Sequence, residues 1–383
     1  MSASVLVYVQ HLLGIGHLAR ASLVAVGLGK AGLAVKLVLG GPPVAGFPPP
    51  GIETVALPPV RAGQGGFSEL VDLAGAPAGE AYLNERREIL LAAFDAFRAD
   101  IVLIEAFPFG RRQMRFELEP LLERARDAQW APLVACSLRD IVQEGRKPGR
   151  DRETVEVLQQ SFDVLLVHGD PDLIALDASF SLAHEIAPLI RYTGIVSGQV
   201  GPLDGETFDV VVSAGGGAAG TRIMRAGLGA MPRSRLKDAR WTFVTGPNLP
   251  PEVAGELAAG LPENAVVTTH RRDFRALLAN AALSISQAGY NTAADVLVAG
   301  CRSVMVPFAE GGETEQSRRA EALGRRKLVH TVEERELSPE SLSRAIDRAM
   351  EGALPARSGL RLDGAERTPA LLLESLRAKR GGS

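Results

Sequence analysis

The stretch SQAGYNTAADVLVAG, residues 286–300, follows the apolar run Ala281-Ala-Leu-Ser-Ile285. Strand-like sequence gives way to small and polar residues and then to a helical pattern, the layout of a strand that ends at a ligand-bearing loop. Gly289 suits a tight strand end. Asn291 or Thr292 suits a helix cap, and Asp295 falls one turn into the helix on the face of Asn291. An acid there either favours the positive end of the helix, worth ~0.3–1 kcal/mol, or accepts hydrogen bonds from a ligand diol.

Read outward, the same unit recurs. Short β-branched runs at 5–9, 34–39, 101–104, 132–136 and 164–167 alternate with longer stretches of helical period. After the Gly-rich polar segment 197–206 the plan restarts, with runs at 209–212, 241–244, 265–267, 282–285 and 303–306. Such alternation predicts parallel sheets wrapped by helices. At 383 residues the chain exceeds the ~250–300 at which one core stops growing. The expectation is therefore α/β: two doubly wound, Rossmann-like domains facing across a cleft. Their bounds are 1–200 for an acceptor side and 207–360 for a donor side, with a C-terminal helix in 361–383 returning to the first domain.

Composition narrows the class. Charged residues make up 23% and apolar residues 46%, with a formal charge of −3, so no nucleic-acid partner is expected. Two cysteines, Cys136 and Cys301, lie in apolar runs and offer neither a disulfide framework nor a metal cluster. With no leader pattern and no apolar run near the ~18 residues of a membrane span, a cytoplasmic protein with at most peripheral membrane contact is expected. The loop 42–50, rich in proline, is either an apolar loop meeting a bilayer or a rigid turn.

Ligands of open α/β sheets sit beyond the carboxyl ends of the strands. In the second half, Gly215, Gly216, Gly217 and Gly220 follow one strand and let a backbone approach a diphosphate at a helix start. The same residues satisfy GxGxxG, but the acid that should hold a dinucleotide ribose, Asp238, precedes the next strand instead of ending it, which disfavours a nicotinamide site. Asp170-Pro-Asp172 imitates a metal-binding triplet and reads instead as a helix cap. No metal is implied.

The Q-A-G-Y-N-T-x-x-D helix, Ala299-Gly300, the strand end Val306-Pro-Phe308 and Glu315-Gln316 opening the next helix together resemble the donor domain of GT-B glycosyltransferases of family 28. The resemblance is strong over about 209–330. It implies that Asp295 holds the donor ribose, though the family more commonly carries Glu there, and that Gln316 contacts the donor sugar. It further implies that the segment from His270 to Phe274 reads the base and that Gln287, Ala288, Gly289, Asn291, Thr292 and Glu315 line the donor site. In the first half, Gly14-Ile-Gly16-His17 resembles the family's N-terminal glycine loop ending in His, with one glycine fewer.

Inverting glycosyl transfer needs a base for the acceptor hydroxyl, and a histidine of unperturbed pKa near ~6.5 suits it. His17 is the candidate, with His11 and Glu105 as alternatives. Gly14, Gly16, Glu105, Arg111, Arg112 and Arg139 gather on the acceptor side. The arginines suit an anionic acceptor, and equally a solvated charged face. The expected function is transfer of a hexose or N-acetylhexosamine from a nucleotide diphosphate donor, UDP above others, with no cofactor. Two rivals share the donor site: a non-hydrolysing UDP-N-acetylglucosamine 2-epimerase, which would convert the donor alone, and a non-catalytic nucleotide-sugar-binding protein.

Overall fold

All ten expected runs form strands, and they assemble into two parallel sheets. The computed structural model describes residues 3–12, 14–63, 66–143, 148–214, 220–246, 249, 251–269 and 271–381.

The first half opens with β1 (Ser4–Val9), α1 (Gly16–Lys30), β2 (Ala34–Leu39) and β3 (Glu53–Ala56), followed by the antiparallel ribbon of β4 (Arg61–Gly63) and β5 (Gly66–Val71). It continues through α2 (Glu80–Phe97), β6 (Ile101–Glu105), α3 (Arg115–Asp127), β7 (Leu133–Arg139), α4 (Arg150–Ser161), β8 (Val164–His168) and β9 (Ile190–Tyr192). Sheet order is β3-β2-β1-β6-β7-β8-β9.

The second half runs β10 (Val210–Ser213), α5 (Thr221–Ala230), β11 (Trp241–Val244), α6 (Pro251–Ala259), β12 (Ala265–Thr268), α7 (Phe274–Ala279) and β13 (Leu283–Ser286). Then come α8 (Tyr290–Ala299), β14 (Arg302–Met305), α9 (Glu315–Arg325), β15 (His330–Thr331), α10 (Pro339–Glu351) and α11 (Gly364–Gly381). Order in the second sheet is β12-β11-β10-β13-β14-β15.

Successive side chains of a strand point to opposite faces, and both faces are buried here. Val5, Val7 and Val9 pack with Leu18 and Leu28 of α1 and Leu372 and Leu376 of α11, while Leu6 and Tyr8 pack with α2 and α3 on the other side. Burying one such aliphatic side chain stabilises by about 1.5–3 kcal/mol. In the second domain Val210 and Val212 face α5 and α10, and Val211 faces α7 and α8.

Two segments join the halves. Residues 193–209 lead out of the first sheet, and residues 352–363 lead back to α11, which lies on α1. The helices meet at Gly27, where a Cβ would stand 2.3 Å from the Ala365 carbonyl oxygen. In the loop 42–50, Val44 and Phe47 pack into the first core, so the segment is a turn with its apolar side chains partly covered. Asp170 caps only a turn, its Oδ1 accepting from the Asp172 N–H at 3.0 Å, because no helix follows it. Among the described residues no helix is long and apolar enough to cross a membrane.

In each sheet the chain reverses its winding between two central neighbours, β1 and β6 in the first and β10 and β13 in the second. Loops leaving such a pair diverge to opposite sides and leave a crevice between them. Glu105, at the end of β6, and the segment 286–289, at the end of β13, lie at these two crevices.

Candidate active site

Glu105 ends β6, and His17 is the second residue of the helix that follows β1. Because β1 and β6 are adjacent, the two side chains meet: His17 Nδ1 lies 3.0 Å from Glu105 Oε1. One turn along α1, Arg20 donates from Nη2 to the same oxygen. Ser137 pairs with Glu105 in register and donates from Oγ to Oε2 at 2.5 Å. A hydroxyl has one hydrogen, so Ser137 Oγ accepts from His168 Nε2, 2.9 Å away. Thr193 Oγ1 lies 2.9 Å from His168 Nδ1 and closes a buried polar chain across the strand ends.

Electrostatics follow from this arrangement. Burial disfavours the Glu105 carboxylate, but Arg20, His17 and Ser137 outweigh it and hold its pKa well below the ordinary carboxylate range. For His17, burial and the nearby Arg111 outweigh the Glu105 hydrogen bond and lower the pKa to about 3. This corrects the expectation of a base titrating near neutrality. When its Nδ1–H donates to Glu105, neutral His17 keeps a lone pair on Nε2, and a fifth of its side-chain surface (20%) is exposed.

The alternatives fare worse. His11 is 5% exposed and packs against Gly41, where a Cβ would come within 2.5 Å of its ring. Glu105 is 1% exposed with both oxygens occupied, so it orients His17 and is neither a free base nor an acceptor contact. Two expected acceptor contacts are likewise engaged elsewhere: Arg112 pairs with Glu153, and Arg139 pairs with Glu315 of the second domain. Arg111, left-handed at φ 61°, donates from Nε to the Gln10 carbonyl at 2.6 Å. Gly14 has open space around its Cβ position, whereas a Cβ at Gly16 would meet Asn291 Nδ2 at 3.2 Å.

That contact leads into the second domain. Gly289, not Asn291 or Thr292, is the N-cap of α8. Asn291 is thereby freed to donate from Nδ2 to the Gly16 carbonyl at 3.1 Å, joining the starts of α8 and α1. Gln287 and Thr292 are half-buried beside it. Gln316 Oε1 accepts from the Ala288 and Phe308 N–H groups at 3.0 and 3.2 Å, which fixes two strand-end loops. Glu315 is 4% exposed and ion-paired to Arg319 and Arg139, so its carboxylate is not free for a donor.

Asp295 accepts from Ser197 Oγ at 3.3 Å and lies 3.4 Å from Arg275 Nε. Burial raises its pKa to about 6, against the opposing pull of Arg275 and Ser197. Phe274 starts α7, half-buried against the core. Gly215, Gly216, Gly217 and His270 lie outside the described residues. Gly220 packs so tightly that a Cβ would stand 2.1 Å from that of Ala214. The residues missed from sequence are Arg20, His168, Thr193, Tyr290, Asp140 and Arg319. Only strand-end position hinted at His168 and Asp140.

Residues 211–358 match the glycosyltransferase family 28 C-terminal domain. Two curated relatives are UDP-N-acetylglucosamine–N-acetylmuramyl-(pentapeptide) pyrophosphoryl-undecaprenol N-acetylglucosamine transferases. That of Lactiplantibacillus plantarum is 26% identical over 134 residues, 35% of this chain and 37% of the relative. That of Syntrophotalea carbinolica is 27% identical over 176 residues, 44% of this chain and 48% of the relative. The chain thus spans less than half the length of these relatives. Solved structures match nearly end to end. The spinosyn rhamnosyltransferase SpnG has a TM-score of 0.60 at 16% identity, covering 98% of this chain and 96% of that one. Acinetobacter baumannii MurG has 0.57 at 15%, covering 97% and 99%. The calicheamicin glycosyltransferase CalG4 has 0.58 at 18%, covering 100% and 97%. At such identities the likeness shows the fold. Residues 211–358 thus resemble the glycosyltransferase family 28 C-terminal domain, and the chain as a whole has the two-domain fold seen in the GT-B glycosyltransferases.

Proposed function

We propose that the protein is an inverting glycosyltransferase that moves a hexose or N-acetylhexosamine from a nucleotide diphosphate donor, UDP in the first instance, to an acceptor hydroxyl. The observation that carries this reading is the His17–Glu105 pair, set at the start of α1 and joined by Asn291 to the start of α8. In the proposed step His17 Nε2 takes the acceptor proton while the acceptor oxygen bonds to the anomeric carbon. The bond from that carbon to the diphosphate oxygen breaks, and the electron pair leaves with the diphosphate. Glu105, kept ionised, stabilises the imidazolium that forms.

On the donor side the unpaired N–H groups at the start of α8 present positive potential to the leaving diphosphate, a role that requires no metal. Asp295 takes the ribose hydroxyls and Gln316 the sugar. Screening a panel of nucleotide sugars for nucleotide release, with cell extract as acceptor, tests the reading. Acceptor-dependent UDP release that persists in EDTA supports it. Conversion of UDP-N-acetylglucosamine to its epimer without acceptor, or turnover lost to EDTA and restored by magnesium, contradicts it.

A further inference from the structure

Asp140 follows β7 in the first domain, and Arg319 lies on α9 in the second. They meet through two parallel hydrogen bonds, Nε to Oδ2 at 2.8 Å and Nη2 to Oδ1 at 2.6 Å, a geometry that fixes direction as well as distance. Arg319 is 2% exposed, and it also donates to the Ala288 carbonyl at 2.8 Å and to Glu315 Oε1 at 2.7 Å. The other Glu315 oxygen holds Arg139, next to Asp140 in sequence. Two acids and two arginines, one of each from either domain, thus form a neutral cluster across the cleft. The Tyr290 ring, at the first position of α8, lies against the Arg319 guanidinium at 5.6 Å and the Arg20 guanidinium at 5.0 Å, and Arg20 holds Glu105.

We infer that Asp140 and Arg319 form an interdomain latch and are positioning residues: they set the closure at which His17 of one half faces the donor loops of the other. The seam is mixed: beside the ion pairs, Ile141 and Ile174 of the first half pack on Ala322 of α9. The apolar contact is non-directional, whereas the paired charge cluster contributes more to a defined arrangement than to net stability. Arg319 reaches the two loops that Gln316 also fixes, because it binds the Ala288 carbonyl directly and Glu315 precedes Gln316. Closure and the shape of the donor loops are therefore coupled. The catalytic consequence rests on the glycosyl-transfer reading; the latch itself does not.

The test places spin labels at Glu123→Cys and Glu263→Cys, exposed positions on either half, the native cysteines being buried. Distances are read by pulsed electron resonance in the latch-intact chain and with Asp140→Asn added. Because a lone buried charge can prevent folding, Asp140→Asn/Arg319→Gln, which removes both charges, is measured alongside. The latch predicts a longer and broader distance distribution in the variants. It also predicts UDP affinity within about 2-fold for Asp140→Asn and turnover lowered ~100-fold, the scale of a reacting group misplaced by about 1 Å. An unchanged distribution in the double variant overturns the latch, and a widened one with full turnover overturns the positioning role. A widened distribution in the variants, together with no UDP binding by the latch-intact chain, supports the latch and removes the transfer reading.

Discussion

Glu105→Gln separates the charge of the carboxylate from its shape. The carboxylate receives Arg20, His17 and Ser137, and both it and Arg20 are almost fully buried, at 1% and 2% exposure. Neutralising one partner of a buried pair leaves the other charge uncompensated, at about 3–5 kcal/mol, and the retained amide bonds put this variant near the lower end. For a domain of roughly 200 residues each kcal/mol moves the midpoint by about 2–4 °C, so a fall of about 6–12 °C is expected. The folded pKa of Glu105 is depressed, so its stabilisation is complete above the unfolded value of 4.5 and disappears as pH falls through the folded one. The gap between variant and wild type should be full at pH 7.5 and begin to close only below about 4.5. Turnover should also fall, by ~10²–10⁴, because the group that fixes the His17 tautomer has lost its charge. Thermal melts at several pH values together with kcat form the assay. A midpoint within 2 °C of wild type, or unchanged kcat, would refute the reasoning.

Burial lowers the His168 pKa to about 3, so below ~6.5 the unfolded chain takes up a proton that the folded one refuses. Stability should then fall with acidification by up to ~1.4 kcal/mol per pH unit from this group, and His168→Gln should flatten that slope; parallel wild-type and variant profiles would contradict it. Asp295→Ala should weaken UDP binding by about 1.5–3 kcal/mol in calorimetry, and equal affinity in a folded variant removes Asp295 from the site. With the Asp295 pKa raised to about 6, wild-type UDP affinity should decline as pH drops through that value, and a flat binding profile between pH 5 and 8 would show that its charge is not used.

The central strands were legible in sequence because Val5–Val9 or Val210–Val212 are buried on both faces and read as unbroken apolar runs. The edges were not. β3 is exposed at Glu53, Thr54 and Ala56, and β15 has only two residues, so neither carries an apolar period. His17, at the helix start after β1, and Glu105, at the end of β6, were legible because they follow or end strands that become neighbours, a local signal read through a general rule. Arg20 and Arg319 were not, because a charged residue on a helix reads as solvated. Only pairing across 85 and 179 positions of chain makes their burial possible. The helix start at Tyr290 was misplaced by the usual preference of Asn and Thr for caps, which here yields to the contact between Asn291 and Gly16.

The central claim is that His17 carries out proton transfer while the second domain binds the donor. Its most direct measurement is His17→Ala, assayed for turnover and, by calorimetry, for UDP affinity. The account predicts kcat lower by ~10²–10⁴ with UDP affinity nearly unchanged, since it assigns donor binding to the other domain. Wild-type kcat in the variant would contradict it, and the acceptor proton would then have to leave by another group.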